Sequence, residues 1–391
     1  MVTEKRTDEL KSRWLRIQDG MRKSNAEACL FSVDVNLYYT TGHIYNGYFY
    51  LPVEGSPSFF VKRPEGLCGE NVYSIRKPEQ IPDLLAAKGE KLPKKIMLEA
   101  DEIPYGEYIR LQSAFQPEET GNATALIRRI REIKSDWEVG QFRLSARQHE
   151  KTYGEIRECF RPGMTDTELQ IEIEKRMRLN GSIGIFRTFG GNMDIFMGSI
   201  LAGDNAGNPS PFDFALGGQG ITPTLPIGAN GTVLKEGMTI LVDMAGNYTA
   251  YITDISRVFA IGKLPDEAYR AHQVALDIQR KMEETARPGT PCAELYELAV
   301  SMAKKEGLID KFMGTKQQAK FVGHGIGIQI NELPVLMLRS KELLQPGMVF
   351  AYEPKFVLPG VGAVGIENSY LVTDSGLEKL TLFEEEIIQL E

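Results

Sequence analysis

Four carboxylates and one imidazole in this chain are spaced so that they could share a cation. Asp243 and Asp254 lie in two β-rich runs on either side of Gly246-Asn247. That turn signal predicts a hairpin, which would bring the two acids close together on facing strands. Facing carboxylates repel, so something cationic is expected between them. Glu353 and Glu367 lie equally far before and after Gly360, within a second turn signal, Leu358-Pro-Gly-Val-Gly362. His324 sits in Val322-Gly-His-Gly-Ile-Gly327, where glycines let the backbone approach a neighbour closely. One imidazole with four carboxylates suits manganese, iron, cobalt or zinc. Structural zinc would call for sulfur or more histidine. The plainer alternative is that the acids pair with Arg257, Lys355 or other surface cations, since most carboxylates are solvated.

The elements that would position these residues are repeated along the chain. Leu234-Lys-Glu-Gly-Met-Thr-Ile-Leu-Val-Asp243 matches Leu344-Gln-Pro-Gly-Met-Val-Phe-Ala-Tyr-Glu353, with an acid at the same closing position. Upstream, Arg161-Pro-Gly-Met-Thr-Asp-Thr-Glu-Leu169 echoes Arg287-Pro-Gly-Thr-Pro-Cys-Ala-Glu-Leu295. Two echoes in the same order imply a duplicated unit, a helix and then a strand closing on an acid, packed about a pseudo-twofold. Thr165 and Glu168 form a capping box after Pro162-Gly163, and Thr290 is expected to cap the second helix. The long stretch 186–231, rich in Gly, Pro, Asn, Phe and Met, reads as a pocket wall. Its Gly217-Gly-Gln-Gly220 lacks the Lys-Ser/Thr of a phosphate loop.

A chain of 391 residues, 42% hydrophobic, is long enough for two cores. Its net charge of -8 and pI near 5.4 argue against nucleic acid or anionic lipid as partners. No apolar run reaches membrane-spanning length, and the first residues carry no apolar signal core. The four cysteines form no Cys-x-x-Cys pair. A cytoplasmic enzyme or binding protein is therefore expected. The N-terminal third reads as a separate α/β domain with a first helix through Leu10, Trp14, Ile17 and Met21. Strands are expected at Ala28-Cys-Leu-Phe-Ser32, Gly47-Tyr-Phe-Tyr-Leu51, Ser58-Phe-Phe-Val61 and Lys95-Ile-Met-Leu98, with a helix over Gln80 to Lys88. The polar stretch Gln116-Pro-Glu-Glu-Thr-Gly-Asn122 is the expected linker, giving domains 1–124 and 125–391. The basic run Leu126 to Ser135 is read as a solvated helix face, and His149 and His272 as surface histidines on charged helices.

Asp243, Asp254, His324, Glu353 and Glu367 together resemble the ligand signature of the pita-bread metallopeptidases: methionine aminopeptidase, aminopeptidase P, prolidase and creatinase. Tyr251-Ile-Thr-Asp-Ile-Ser-Arg257, Pro346-Gly-Met-Val-Phe-Ala-Tyr-Glu-Pro354 and Ile366-Glu-Asn-Ser-Tyr-Leu-Val-Thr373 extend the resemblance. Leu37-Tyr-Tyr-Thr-Thr-Gly42 carries it into a creatinase/prolidase-type N-terminal domain. The implied fold is α/β (α+β), a pita-bread C-terminal domain with internal duplication preceded by a smaller α/β domain. The resemblance also implies two divalent ions, manganese, cobalt, zinc or iron. Asp243 would chelate one, His324 and Glu353 the other, and Asp254 and Glu367 would bridge, with a shared hydroxide as nucleophile. Glu353 would be the proton shuttle. A homodimer is implied too, bringing His43 near a partner's substrate.

Departures from the family pattern bear on the substrate. Where relatives carry His-Glu-x-Pro, this chain has Asn331-Glu-Leu-Pro334. A second family histidine, before the first Asp, falls at Ser210 or, in another alignment, near Leu225. The Arg often found two residues before the last Glu is Gly365. The metal cradle is thus kept while two substrate-handling imidazoles are lost, and Asn and Ser cannot replace them as acid or base. Three readings remain: a Xaa-Pro peptidase, a metal-dependent enzyme acting on a non-peptide small molecule, and a non-catalytic binding protein. Asn331, Ser210 and His43 are the expected substrate-contacting residues.

Overall fold

Leu10, Ile17 and Met21, expected on one face of the first helix, are buried on α1 (Glu4–Lys23). The computed structural model describes residues 4–190 and 195–391. These divide into two units, Met1–Arg131 and Glu132–Glu391.

In the first unit α1 is followed by β1 (Ala28–Phe31), α2 (Asp34–Thr41), β2 (Asn46–Pro52), β3 (Ser58–Arg63) and β4 (Val72–Ser74). Then come α3 (Ile81–Ala87), β5 (Lys95–Leu98), α4 (Tyr105–Phe115), β6 (Glu119–Asn122) and α5 (Ala123–Glu132). One mixed sheet of order β4-β3-β2-β1-β5-β6 carries the core. The expected polar linker is instead the αL C-cap of α4 at Gln116 and the edge strand β6, paired in parallel with β5. Edge strands tolerate polar sequence because one side of the ladder faces away from the core. The basic run belongs largely to α5, and it is not simply a solvated face. Arg131 is buried and donates to Asn36 Oδ1 at 2.9 Å, as a buried charge requires.

The second unit opens with α6 (Asp136–Gly154), α7 (Asp166–Leu179), β7 (Gly198–Ala202), β8 (Thr239–Asn247), β9 (Ile252–Ile261) and α8 (Asp266–Thr285). It continues with α9 (Cys292–Lys305), β10 (Phe321–Gly325), β11 (Glu332–Met337), β12 (Val349–Tyr352) and β13 (Lys355–Leu358). It closes with β14 (Gly362–Gly365), β15 (Asn368–Val372), β16 (Leu377–Lys379) and β17 (Ile388–Leu390). The sheets run β17-β9-β8-β7, β11-β10-β12-β15-β16 and β13-β14. Of the expected pocket wall, residues 191–194 lie outside the described residues.

The sequence echoes correspond to matched backbone joints. Thr165 bridges Val233 just before α7, and Pro291 bridges Leu343 just before α9. Leu234 N donates to Met164 O at 2.9 Å, and Leu344 N donates to Thr290 O at 2.8 Å. The copies differ where their acids sit. β8 and β9 form one unbroken ladder, whereas the second hairpin is split between two sheets at Glu353-Pro354. Pro354 has no N–H to continue a ladder. Register is kept across the break, since Tyr352 pairs with Asn368 and Lys355 with Gly365. An antiparallel bridge, Ser256 to Glu367, ties the two copies together.

Three local expectations are corrected. The first hairpin turns at residues 248–251, not at Gly246-Asn247, because Asn247 Oδ1 accepts from Ala250 N at 3.1 Å and Ala250 adopts φ +75. Gly246 serves close packing instead, since a Cβ there would collide with His149. His149 and His272 are buried on α6 and α8, not on the surface. His149 Nδ1 meets Thr253 Oγ1 at 3.0 Å and His272 Nε2 meets Glu385 O at 2.7 Å. Thr165 caps α7 with Glu168 as expected, but Thr290 does not cap α9; its hydroxyl accepts from Arg287 N.

Candidate metal centre

Period-two alternation along strands decides which side chains meet. Asp243 on β8 stands opposite Ser256 on β9, and Asp254 stands opposite Ala245. The two aspartates are therefore diagonal neighbours on one face of the ladder rather than a facing pair. Glu353 and Glu367 lie opposite each other within the break of the second hairpin, between β12 and β13 and between β14 and β15. His324 lies on β10 opposite Ala351 of β12. Its flanking glycines are needed because Cβ atoms there would strike the backbones of Ala351 and of Leu333 and Pro334.

These five side chains converge. Ligand atoms of Asp254, His324 and Glu367 lie within 4.8 Å of one another, as do those of Asp243, Glu353 and Glu367. His324 Nε2 is 3.7 Å from Asp254 Oδ2 and 3.6 Å from Glu353 Oε1. Ser256 Oγ donates to Glu367 Oε2 at 2.6 Å. Glu367 Oε1 is buried and has no hydrogen-bond partner among the described residues. An orphaned buried carboxylate oxygen beside an imidazole and further carboxylates fits a divalent cation on the His324 side.

The Asp243 side is different. Lys355, two residues after Glu353 and so on the same face, places its Nζ 2.9 Å from Asp243 Oδ2, 2.6 Å from Glu353 Oε2 and 2.9 Å from Glu367 Oε2. It was foreseen only as a surface ion-pair partner. The period-two spacing from Glu353 was the signal that could have placed it inside. Burial works against its ammonium, but Asp243, Glu353 and Glu367 hold its pKa well above the usual lysine value. Burial, then the charges of Glu367, Asp243 and Glu353, push Asp254 well above the ordinary carboxylate range. Burial likewise raises Asp243, with Lys355 opposing. Arg257, the other foreseen cation, instead donates to the carbonyls of Ser256, Glu367, Phe383 and Glu384 and to Asn368 Oδ1.

The expected substrate residues fall into three situations. Asn331 pairs with the backbone of Phe189, accepting from its N at 2.6 Å and donating to its O at 3.0 Å. Its neighbour Glu332 is buried and accepts from Ile328 N and Gln329 N. Ser210 donates to Pro226 O at 2.8 Å and lines a cavity of about 280 Å³ with Phe212, Phe214, Phe321 and Met337. The Phe321 ring stands edge-on to the His324 ring, with centroids 6.3 Å apart. His43 belongs to the first unit, where it is exposed after the αL cap Gly42 of α2.

Residues 140–374 match the model of metallopeptidase family M24, and residues 13–133 match the creatinase/prolidase N-terminal domain. The chain is 25% identical over 380 residues to a Xaa-Pro dipeptidase of Pyrococcus horikoshii, covering 95% of this chain and 97% of the relative. Its fold matches the Xaa-Pro dipeptidase from Bacillus anthracis with a TM-score of 0.81 at 21% identity, over 97% of this chain and 100% of that one. It also matches the X-Pro aminopeptidase from Thermotoga maritima with a TM-score of 0.79 at 21% identity, over 95% and 99%. With the carboxylate–histidine cluster inside the matched region, the chain belongs to metallopeptidase family M24.

Proposed function

We propose that this chain is a metal-dependent peptidase that hydrolyses the bond before proline in Xaa-Pro peptides. The observation that carries this reading is the clustering of Asp254, His324 and Glu367, with Glu353 Oε1 3.6 Å from His324 Nε2, where Glu367 Oε1 has no hydrogen-bond partner among the described residues. A divalent ion held by these residues would polarise the scissile carbonyl and acidify water. Glu353 has one oxygen fixed by Lys355 and the other directed to the His324 side. It takes the proton of the attacking water and returns it to the leaving nitrogen. The Phe212, Phe214 and Phe321 side chains on the wall of the Ser210 cavity suit the proline ring.

A second reading, hydrolysis of a non-peptide amide, is favoured by one observation. Ser210 and Asn331 are both tied to backbone groups, and neither is an acid or base. We further propose a homodimer in which exposed His43 serves the partner's substrate, to be checked by light scattering. The free cysteines suit a reducing, cytoplasmic setting. The deciding experiment is release of proline from Xaa-Pro dipeptides and tripeptides by manganese- or zinc-loaded protein. No turnover in metal-replete protein would discard the peptidase reading in favour of the second.

A further inference from the structure

Lys355 already fills one of the two places a dimetal centre would need. Its Nζ sits at hydrogen-bond distance from Asp243, Glu353 and Glu367, the same three residues that form one of the two candidate ion clusters. An ammonium has three N–H donors, so three carboxylate oxygens satisfy it completely. Such charge-assisted bonds are about twice as strong as neutral ones. The Lys355 side chain is 0% exposed. A cation brought to the same point would meet a positive charge that is fully bonded where it lies and that burial keeps from solvent.

The surrounding strands are shaped for this lysine. Gly365 faces it across the β13–β14 ladder with φ +148. A Cβ at position 365 would lie 2.6 Å from Lys355 Cα and 3.0 Å from Lys355 Cγ. Only glycine there leaves room for the lysine stem to turn inward. The acceptors Lys355 does not use point the other way. Glu353 Oε1 and Asp254 Oδ2 approach His324 Nε2, and Glu367 Oε1 is left unpartnered among the described residues.

We propose that this centre holds a single divalent ion, among Asp254, His324, Glu353 and Glu367, with the Lys355 ammonium as a built-in cation in place of a second ion. The inference rests on the metal-dependent reading above and replaces the expected pair of ions. Lys355 then acts as a positioning residue. It fixes one oxygen of each glutamate and leaves the other for the ion, and it offsets charge in every metal state of the protein.

The test is titration of the chelator-stripped full chain with Mn²⁺, with bound metal counted by elemental analysis and its spin state read by electron paramagnetic resonance. Wild type should bind one ion per chain and give the spectrum of isolated Mn²⁺. Lys355→Ala, which empties the Asp243 side, should double the bound metal and give a spin-coupled pair. Two coupled ions in wild type would overturn the inference and leave the metal-dependent reading standing. No bound ion in wild type would overturn that reading, and this inference with it. A folded Lys355→Ala that still binds one ion would also overturn the inference. If that variant does not fold, the wild-type count and spectrum decide alone.

Discussion

Arg257 donates from Nη1 to the backbone carbonyl of Glu367 at 2.9 Å, joining the strand that carries Asp254 to the segment that carries Glu367. Its remaining donors reach Ser256 O, Glu384 O, Phe383 O and Asn368 Oδ1. One fully buried guanidinium thus pins the two copies of the repeat together beneath the carboxylates. Arg257→Lys would keep the charge but supply only three donors. Several carbonyls would be left unpaired, and hydrogen bonds to charged groups are worth roughly 1.5–3 kcal/mol each. The expected loss is at least ~3 kcal/mol, read as a lower urea midpoint at unchanged slope. A midpoint within error of wild type would show that the clamp is dispensable.

Metal dependence should follow the division of the cluster. Asp254→Ala, His324→Ala and Glu367→Ala each remove a group from the His324 side, and elemental analysis should find their metal content sharply reduced. Asp243→Asn should keep its metal, because Asp243 meets Lys355. A ligand at a hundredfold excess over its Kd stabilises a fold by about 2.7 kcal/mol. Chelation should therefore lower the melting temperature of wild type but not of Glu367→Ala. Equal metal loss in Asp243→Asn and Asp254→Ala would contradict this division.

Catalysis should depend on Glu353 but gain nothing from an imidazole at position 331. Glu353→Gln removes the proton shuttle, and such groups typically contribute ~10²–10⁴-fold, so kcat on a Xaa-Pro substrate should fall by that order. Asn331→His would break the paired hydrogen bonds to Phe189 N and O. Rates with that variant should drop below wild type, measured side by side on the same dipeptide. A faster Asn331→His would mean that the position is free to handle substrate.

Stability should decline in mild acid through two buried histidines. Burial, then the charge of Arg257, lowers the pKa of His149 to about 3. Burial lowers His272 to about 4, against its hydrogen bond to Glu385 O. In the unfolded chain both take up protons near 6.5. Their contribution is therefore complete above pH 6.5 and is lost as pH falls from there towards the folded values. At pH 5 the loss is roughly 2 kcal/mol per histidine. Melting temperatures from pH 7.5 to 4.5 should fall steeply in wild type and less in His149→Gln. Identical slopes would show that His149 does not contribute.

The sequence by itself determined the parts that depend on residue type and short-range period. The Arg-Pro-Gly echoes, the matched Gly-Met runs before each acid and the Gly-His-Gly stretch located all five converging side chains and the duplicated unit that carries them. Neither strand ends on its acid, however: Asp243 lies within β8 and Glu353 between β12 and β13. The period-two spacing of Glu353 and Lys355 was equally legible and would have put the two on one face. Tertiary structure decided which partners those faces meet. Turn geometry at Asn247 and Ala250 shifted the hairpin register, so that Asp243 faces Ser256 and lies diagonal to Asp254. Packing of α6 and α8 buried His149 and His272, which composition alone assigned to a charged surface. Pairing of β6 with β5 turned an apparent linker into an edge strand. Above all, whether Lys355 is a surface ion pair or a cation inside the cluster depends on contacts between residues more than a hundred positions apart. Local propensity and spacing carry no information about such contacts, because only the assembled strands bring Asp243 within reach of the lysine.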